Sequence, residues 1–161
     1  MGDVVLRDGD RPGDLGWVLM AHGERYAAEY GWSVEAVTAR VVADFAAHAE
    51  PGRDAAWIAE LDGRRVGSVL CVREDATTAR LRLLLVDPLA RGLGVGRALV
   101  ERCVAFARDA GYARLVLWTN EPLAAARGLY LAAGFVLEGE ETHTEFGGEL
   151  LGQSYVLRLR T

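Results

Sequence analysis

Strand-like alternation ends at Val86-Asp87-Pro88, a helical period begins at Gly94, and the segment Arg91-Gly92-Leu93-Gly94-Val95-Gly96-Arg97 joins the two. A strand that feeds a long helix through such a loop belongs to a β-α-β unit, so part of the sheet must be parallel, joined by a right-handed crossover. Glycines at 92, 94 and 96 let backbone N–H groups approach a ligand, and the positive end of the helix favours an anion there. A pyrophosphate fits such a cradle; a tight, glycine-rich strand-to-helix turn is the plainer alternative. The dinucleotide fingerprint GxGxxG does not fit, because Arg97 takes the third Gly position counted from Gly92 and no acidic residue ends a following short strand. Nor does a P-loop: all 18 basic residues are Arg, and the Lys that would reach the phosphates does not exist in the chain. The same absence removes Schiff-base chemistry, and 25 Ala beside the Arg monopoly read as genome-wide codon preference.

Periodicity places the other elements. A short strand near Val4–Arg7 precedes a helix opened by Asp14, with Leu15, Val18, Leu19, His22 and Tyr26 on one face. The break at Gly31-Trp32-Ser33 leads to a second helix, started by Ser33, that turns Val34, Val37, Val41, Phe45 and Ala49 to one side and is closed by Pro51-Gly52. Three strands follow, Ala55–Leu61, Arg65–Val72 and Thr78–Val86. Asp62-Gly63 joins the first two as a tight hairpin, and Glu74–Thr77 joins the second pair. The helix from Gly94 to Ala110 turns Ala98, Leu99, Cys103, Val104 and Ala107 inward and stops at Gly111. A strand at Ala113–Thr119 comes next, then a helix with Pro122 in its first turn that runs to Ala133 and stops at Gly134. Phe135–Glu138 and Leu151–Leu159 are the last strands. The order β-α-α-β-β-β-α-β-α-β-β predicts an α+β fold with a mixed, mostly antiparallel central sheet flanked by helices, in one domain over 1–161.

A chain of 161 residues can bury roughly 68–70% of its unfolded surface and needs no staples. At 51% hydrophobic and 25% charged, it has the composition of a soluble globular protein. A net charge of −5 argues against nucleic acid as a partner, and no stretch approaches a membrane span. Cys71 and Cys103 sit in apolar runs without CxxC partners and read as buried hydrophobes, so a reduced, cytoplasmic setting is expected. The three Ser lie outside any GxSxG, and His22, His48 and His143 lack HExxH or a Cys/His ligand spacing, so neither a hydrolase nor a metal site is expected.

Arg91-x-x-Gly94-x-Gly96 at a helix start, after Val86-x-Pro88, resembles motif A of the GCN5-related N-acetyltransferases (GNAT). Asn120 after the next strand, Tyr130, and Gly134-Phe135 resemble the later signatures of that superfamily. The Trp118-Thr119-Asn120 segment and its long interval to Tyr130 are similar to acetyltransferase domains fused to MarR-type regulators. The resemblance covers nearly the whole chain as the acetyltransferase part alone, so no DNA-binding domain is expected within it.

The resemblance implies acetyl-CoA as co-substrate. Backbone groups of Leu84, Leu85 and Val86 would pair with its pantetheine arm. Arg91, Gly92, Leu93, Gly94, Val95, Gly96 and Arg97 would hold its pyrophosphate, and Asn120 would bond to the pantetheine or phosphate portion. Asn120 also suits a helix N-cap, and one residue can do both. Tyr130 would protonate the departing thiolate after an amine attacks the thioester, although it also suits the core beside Leu123 and Ala126. Many relatives place a carboxylate base where this chain has Arg80 and Arg82. His22 and Glu29 on the first helix are the substitutes, with Glu24, His143 and Glu145 behind them, and water as a relay. The first helix and its exit also carry the densest aromatic and ionisable group. Tyr26, Glu29 and Trp32, with Arg82 for an acceptor carboxylate and Trp118, His143 and Phe146 as an opposite wall, suit a small-molecule amine, an amino acid among the possibilities. A non-catalytic acyl-CoA-binding sensor or interaction module is the alternative, and a homodimer is compatible with either.

Overall fold

The computed structural model describes residues 2–160. In chain order they form β1 (Val4–Asp8), α1 (Asp14–Tyr30), α2 (Glu35–His48), β2 (Ala55–Leu61), β3 (Arg64–Arg73), β4 (Thr78–Val86), a short 3₁₀ turn (Pro88–Ala90), α3 (Val95–Asp109), β5 (Arg114–Asn120), α4 (Ala124–Ala132), β6 (Val136–His143) and β7 (Leu150–Arg158). The expected order is reproduced element for element. The seven strands make one sheet in the order β1-β2-β3-β4-β5-β7-β6, antiparallel everywhere except between β4 and β5, which α3 connects as the crossover.

The β2–β3 hairpin turns through Asp62 (φ 52°) and Gly63 (φ 77°), the paired left-handed conformations that a two-residue loop needs to match strand twist. On one face of the sheet α3 buries Val95, Leu99, Val100, Cys103 and Ala107 against a core that includes Val69, Cys71, Leu115 and Leu117. Both cysteines are fully buried.

Two helix starts depart from the sequence reading. Gly13 (φ 88°) takes the cap position of α1, while Asp14, the first helical residue, turns its carboxylate inward. Arg7 donates to it at 2.8 and 2.9 Å and Arg65 at 2.9 Å, tying β1, α1 and β3 together. The Arg7 hydrogen bonds hold the Asp14 carboxyl well below the usual carboxylate range, against the opposing cost of its burial. Pro122 lies in a turn ahead of α4, not in its first turn, and Leu123 occupies the cap position. Asn120 therefore ends β5 and does not cap the helix.

The second helix also differs from expectation. It begins at Glu35 and ends at His48, so Ser33 and Ala49 lie outside it, and Thr38 is its only buried residue. Its apolar stripe at Val37 and Val41 faces a cavity, not closed core. An apolar face looks the same in sequence whether side chains or an open pocket lie beneath it.

Candidate active site

The sheet splits where its direction changes. β4 pairs with β5 only over Thr78–Arg80 against Arg114–Val116. Beyond that point β4 continues to Val86 on the β3 side, and β5 continues to Asn120 on the β7 side. The ladder between β4 and β5 has ended, so their facing edges diverge as an open wedge. A bulge assists the divergence: Ser68 opposes Leu85 and Leu70 opposes Arg82, leaving Leu83 and Leu84 across from Val69 alone. Leu83 is held at φ 55°, rare for a branched side chain, and its carbonyl accepts the Ser68 hydroxyl at 2.9 Å.

Two hollows meet at this wedge. The outer one, a groove of about 430 Å³, runs along Leu84, Leu85 and Val86 to the glycine-rich loop and the start of α3. Gly92 (φ 82°) and Gly94 (φ 78°) are in the left-handed region, and a Cβ at either would meet nothing within 4 Å, so the loop is open towards the groove. Gly96 is different, since a Cβ there would meet the end of the Leu129 side chain of α4 at 2.7 Å and oblige that side chain to shift. No side chain caps α3, which leaves its first-turn N–H groups and its positive end directed to the loop. Arg91 and Arg97 line this groove together with Val95, whereas Leu93 does not. Arg91 is paired with Glu29 at 2.5 Å and Arg97 with Glu101 at 2.9 Å, so the cradle rests first on backbone dipoles. Arg25, which no motif or spacing singles out, also lines the groove and pairs with Asp87 at 2.8 Å.

The inner hollow is smaller, about 140 Å³, and lies under α1 and α2 against β4 and β5. Tyr26, Leu84, Leu123 and Ala126 line both hollows and form the passage between them. Tyr130 and His22 line the inner one, and both are buried. Burial, with Tyr26 adding to it, raises the Tyr130 phenol well above its usual range, so its proton is retained at any physiological pH. Burial likewise pushes Tyr26 up to about 12 and holds His22 down at about 4. His22 Nδ1 lies 2.7 Å from the Val18 carbonyl, which only accepts; Nδ1 therefore carries the proton and Nε2 is a bare acceptor. That Nε2 is buried and has no partner among the described residues.

Aromatic rings close the far side. Trp32 stacks with Tyr26 at 5.9 Å and contacts Phe146 at 5.8 Å, while Trp118 approaches His143 at 4.8 Å and Phe146 at 6.1 Å. Trp118, His143 and Phe146 are thus mutual neighbours, and of the three Trp118 and Phe146 line the inner hollow. His143 Nδ1 accepts from the Glu145 backbone at 3.2 Å and its Nε2 donates to Asn120 Oδ1 at 2.6 Å. Both ring nitrogens of His143 are thus engaged by described neighbours.

Several expected site residues sit elsewhere. Glu29 shares a helix with His22 but lines the groove and faces Arg91; it is absent from the inner cavity. Asn120 lines the inner cavity, not the groove, where it was expected to meet the pantetheine or phosphate portion. Tyr26, Trp32, Arg82 and Trp118 do line the cavity. So do Val34, Val37, Thr38 and Val41, which sequence reasoning assigned to core or passed over.

The model of the acetyltransferase (GNAT) family matches residues 17–135. Human N-acetyltransferase 8B is 40% identical over 89 residues, covering 52% of this chain and 39% of that protein. N-acetylaspartate synthetase of Danio rerio is 41% identical over 85 residues, covering 52% of this chain and 30% of that protein. The matches therefore span well under half the length of these relatives. Among solved structures, the Salmonella typhimurium protein yncA, determined with its cofactor acetyl-CoA, superposes with a TM-score of 0.78 at 22% identity, covering 97% of this chain and 94% of that one. A likeness at that identity establishes the fold.

Proposed function

Because the chain belongs to the acetyltransferase (GNAT) family, we propose that it transfers an acetyl group from acetyl-CoA to the primary amine of a small molecule. The observation that carries this reading is the junction of two hollows at the β4–β5 wedge, one suited to an elongated anionic donor and the other closed by Tyr130 and His22. Trp118-Thr119-Asn120 and the long interval to Tyr130 support a finer likeness to acetyltransferase domains fused to MarR-type regulators.

The residues fit acetyl-CoA. The β4 edge from Leu84 to Val86 has lost its β5 partner and offers main-chain groups to the amides of a pantetheine arm. Gly92 and Gly94 leave space beside the N-terminus of α3 for a pyrophosphate. Bound there, the donor supplies a thioester carbon activated for attack.

The chain's own groups then divide the work. His22 is too weak a base to deprotonate an ammonium directly: its pKa of about 4 lies some six units below a Lys-like amine, roughly 8 kcal/mol. Its bare Nε2 instead accepts an N–H from an already neutral amine and orients the nitrogen lone pair. The proton leaves to water as the amine enters, a step favoured by an apolar enclosure that disfavours the charged form. As the C–N bond forms and the C–S bond breaks, the amine nitrogen gives up its second proton to water and a free N–H of the β4 edge stabilises the developing oxyanion. Tyr130 directs its O–H at the leaving sulfur and stabilises the developing thiolate by that hydrogen bond, while the thiol's proton comes from solvent.

Thiol release from acetyl-CoA, measured against a panel of primary amines, tests the assignment. Wild-type protein is expected to release thiol only when an amine is present. Tyr130→Phe, which keeps the ring packing, is expected to lower kcat by about 10²-fold while leaving the acetyl-CoA dissociation constant within about twofold. Binding of acetyl-CoA without release on any amine would replace the enzyme by a sensor module; an unchanged kcat in Tyr130→Phe would return that residue to the core.

A further inference from the structure

We propose that the amine acceptor is a zwitterion, an amino acid with an apolar side chain, whose carboxylate is held by Arg82. This rests on the acetyl-transfer reading and specifies its substrate class.

The charge pattern of the inner cavity is one-sided. None of the described residues that line it is Asp or Glu, whereas two, Arg80 and Arg82, carry guanidinium groups. Arg80 is satisfied by an ion pair with Glu74. Arg82 makes no hydrogen bond or ion pair with any described residue. Burial works against its charge and the neighbouring Arg80 repels it, while Glu74 and Asp44 pull only from a distance. Asp44 lies with Arg82 along an adjoining surface hollow, and His48 faces the same hollow. Arg82 is exposed at the mouth of the cavity and engaged by no described acceptor, so its planar fork is free to meet a carboxylate in two parallel hydrogen bonds.

Position converts that charge into selectivity. Arg82 is two residues before Leu84 on β4, and Leu84 is part of the passage to the groove. An anion on Arg82 thus places a nearby amine towards the passage, which Tyr26 lines, with His22 elsewhere in the wall of the same cavity. The other walls, Val37, Val41, Trp32 and Phe146, offer apolar surface to a side chain. A cationic acceptor such as a polyamine or a basic peptide meets two guanidiniums and no carboxylate.

The test pairs acceptors that differ only by the carboxylate: phenylalanine with phenethylamine, and leucine with isoamylamine. With wild-type protein, kcat/KM is expected to favour the acid of at least one pair by about 10- to 100-fold, chiefly through KM. Arg82→Met is expected to shrink that preference to below about threefold, and Arg82→Lys to restore part of it. Calorimetry adds a readout that needs no turnover: N-acetylphenylalanine should bind Arg82→Met at least about tenfold more weakly than wild type, with N-acetylphenethylamine showing no such loss. Decarboxylated amines that match or exceed their acids in wild-type protein, or a preference unchanged in Arg82→Met, would overturn the proposal and leave acetyl transfer intact. Absence of thiol release with every amine would instead remove the acetyl-transfer reading, and this proposal with it.

Discussion

His22 combines three properties: a tautomer fixed by Val18, a buried Nε2 without a partner among the described residues, and burial strong enough to keep the ring neutral down to about pH 4. The last has a consequence for stability. In the unfolded chain the imidazole takes its proton near pH 6.5, so between about 6.5 and 4 the unfolded state binds more protons than the folded one. Stability must fall as pH drops through that window. From pH 7 to 5 this single group is expected to remove about 2 kcal/mol. Denaturant unfolding of wild type and His22→Leu at both pH values checks it, because the variant should lose about that much less; parallel losses would show that His22 is not buried neutral. Asp14, whose carboxyl is held low by Arg7, acts in the opposite range and contributes stability that is lost only as pH falls below about 4. At this scale Tyr130 was legible through its offset from Gly134-Phe135, and Asn120 as the only Asn. Glu29 was not, because its partner Arg91 is 62 residues away and helical spacing alone does not say which of two adjoining hollows a residue faces.

Between residue and whole, the working parts are the loop before α3 and the kinked β4. The loop was legible because glycines at 92 and 94 have a backbone reason to be there, which the left-handed φ angles bear out. A substitution separates backbone from contact effects. Gly94→Val forces a branched side chain into φ 78° and fills the open side of the cradle. It is expected to cost about 1–2 kcal/mol of stability and to weaken acetyl-CoA binding by at least about tenfold in calorimetry. Unchanged affinity in a folded Gly94→Val protein would place the pyrophosphate elsewhere. The bulge at Leu83 was not legible, since a leucine at positive φ carries no mark in a run of Leu. Nor was the open side of α2: Val37 and Val41 have the spacing of a core stripe, and only the departure of β4 from β5 leaves a hollow beneath them.

At the scale of the molecule, one parallel pairing three residues long sets the architecture of the site. The crossover through α3 brings β5 beside β4, the bulge and the β7 pairing pull them apart, and the two hollows meet in the gap. The strand and helix order was readable because each change of period is marked by a Gly, Pro or Asp-Gly break. The meeting of the hollows was not, because it depends on where a ladder stops. On the proposed function the two hollows serve one transfer, with donor and acceptor converging on the passage lined by Tyr26 and Leu84. The most direct check is to quantify, in one reaction mixture, free thiol and N-acetylated amine by mass spectrometry over successive turnovers. Equal amounts of the two, with neither formed when acceptor is omitted, is the expected result; thiol released without matching amide, or acetyl-CoA bound and left intact beside every amine, would contradict it.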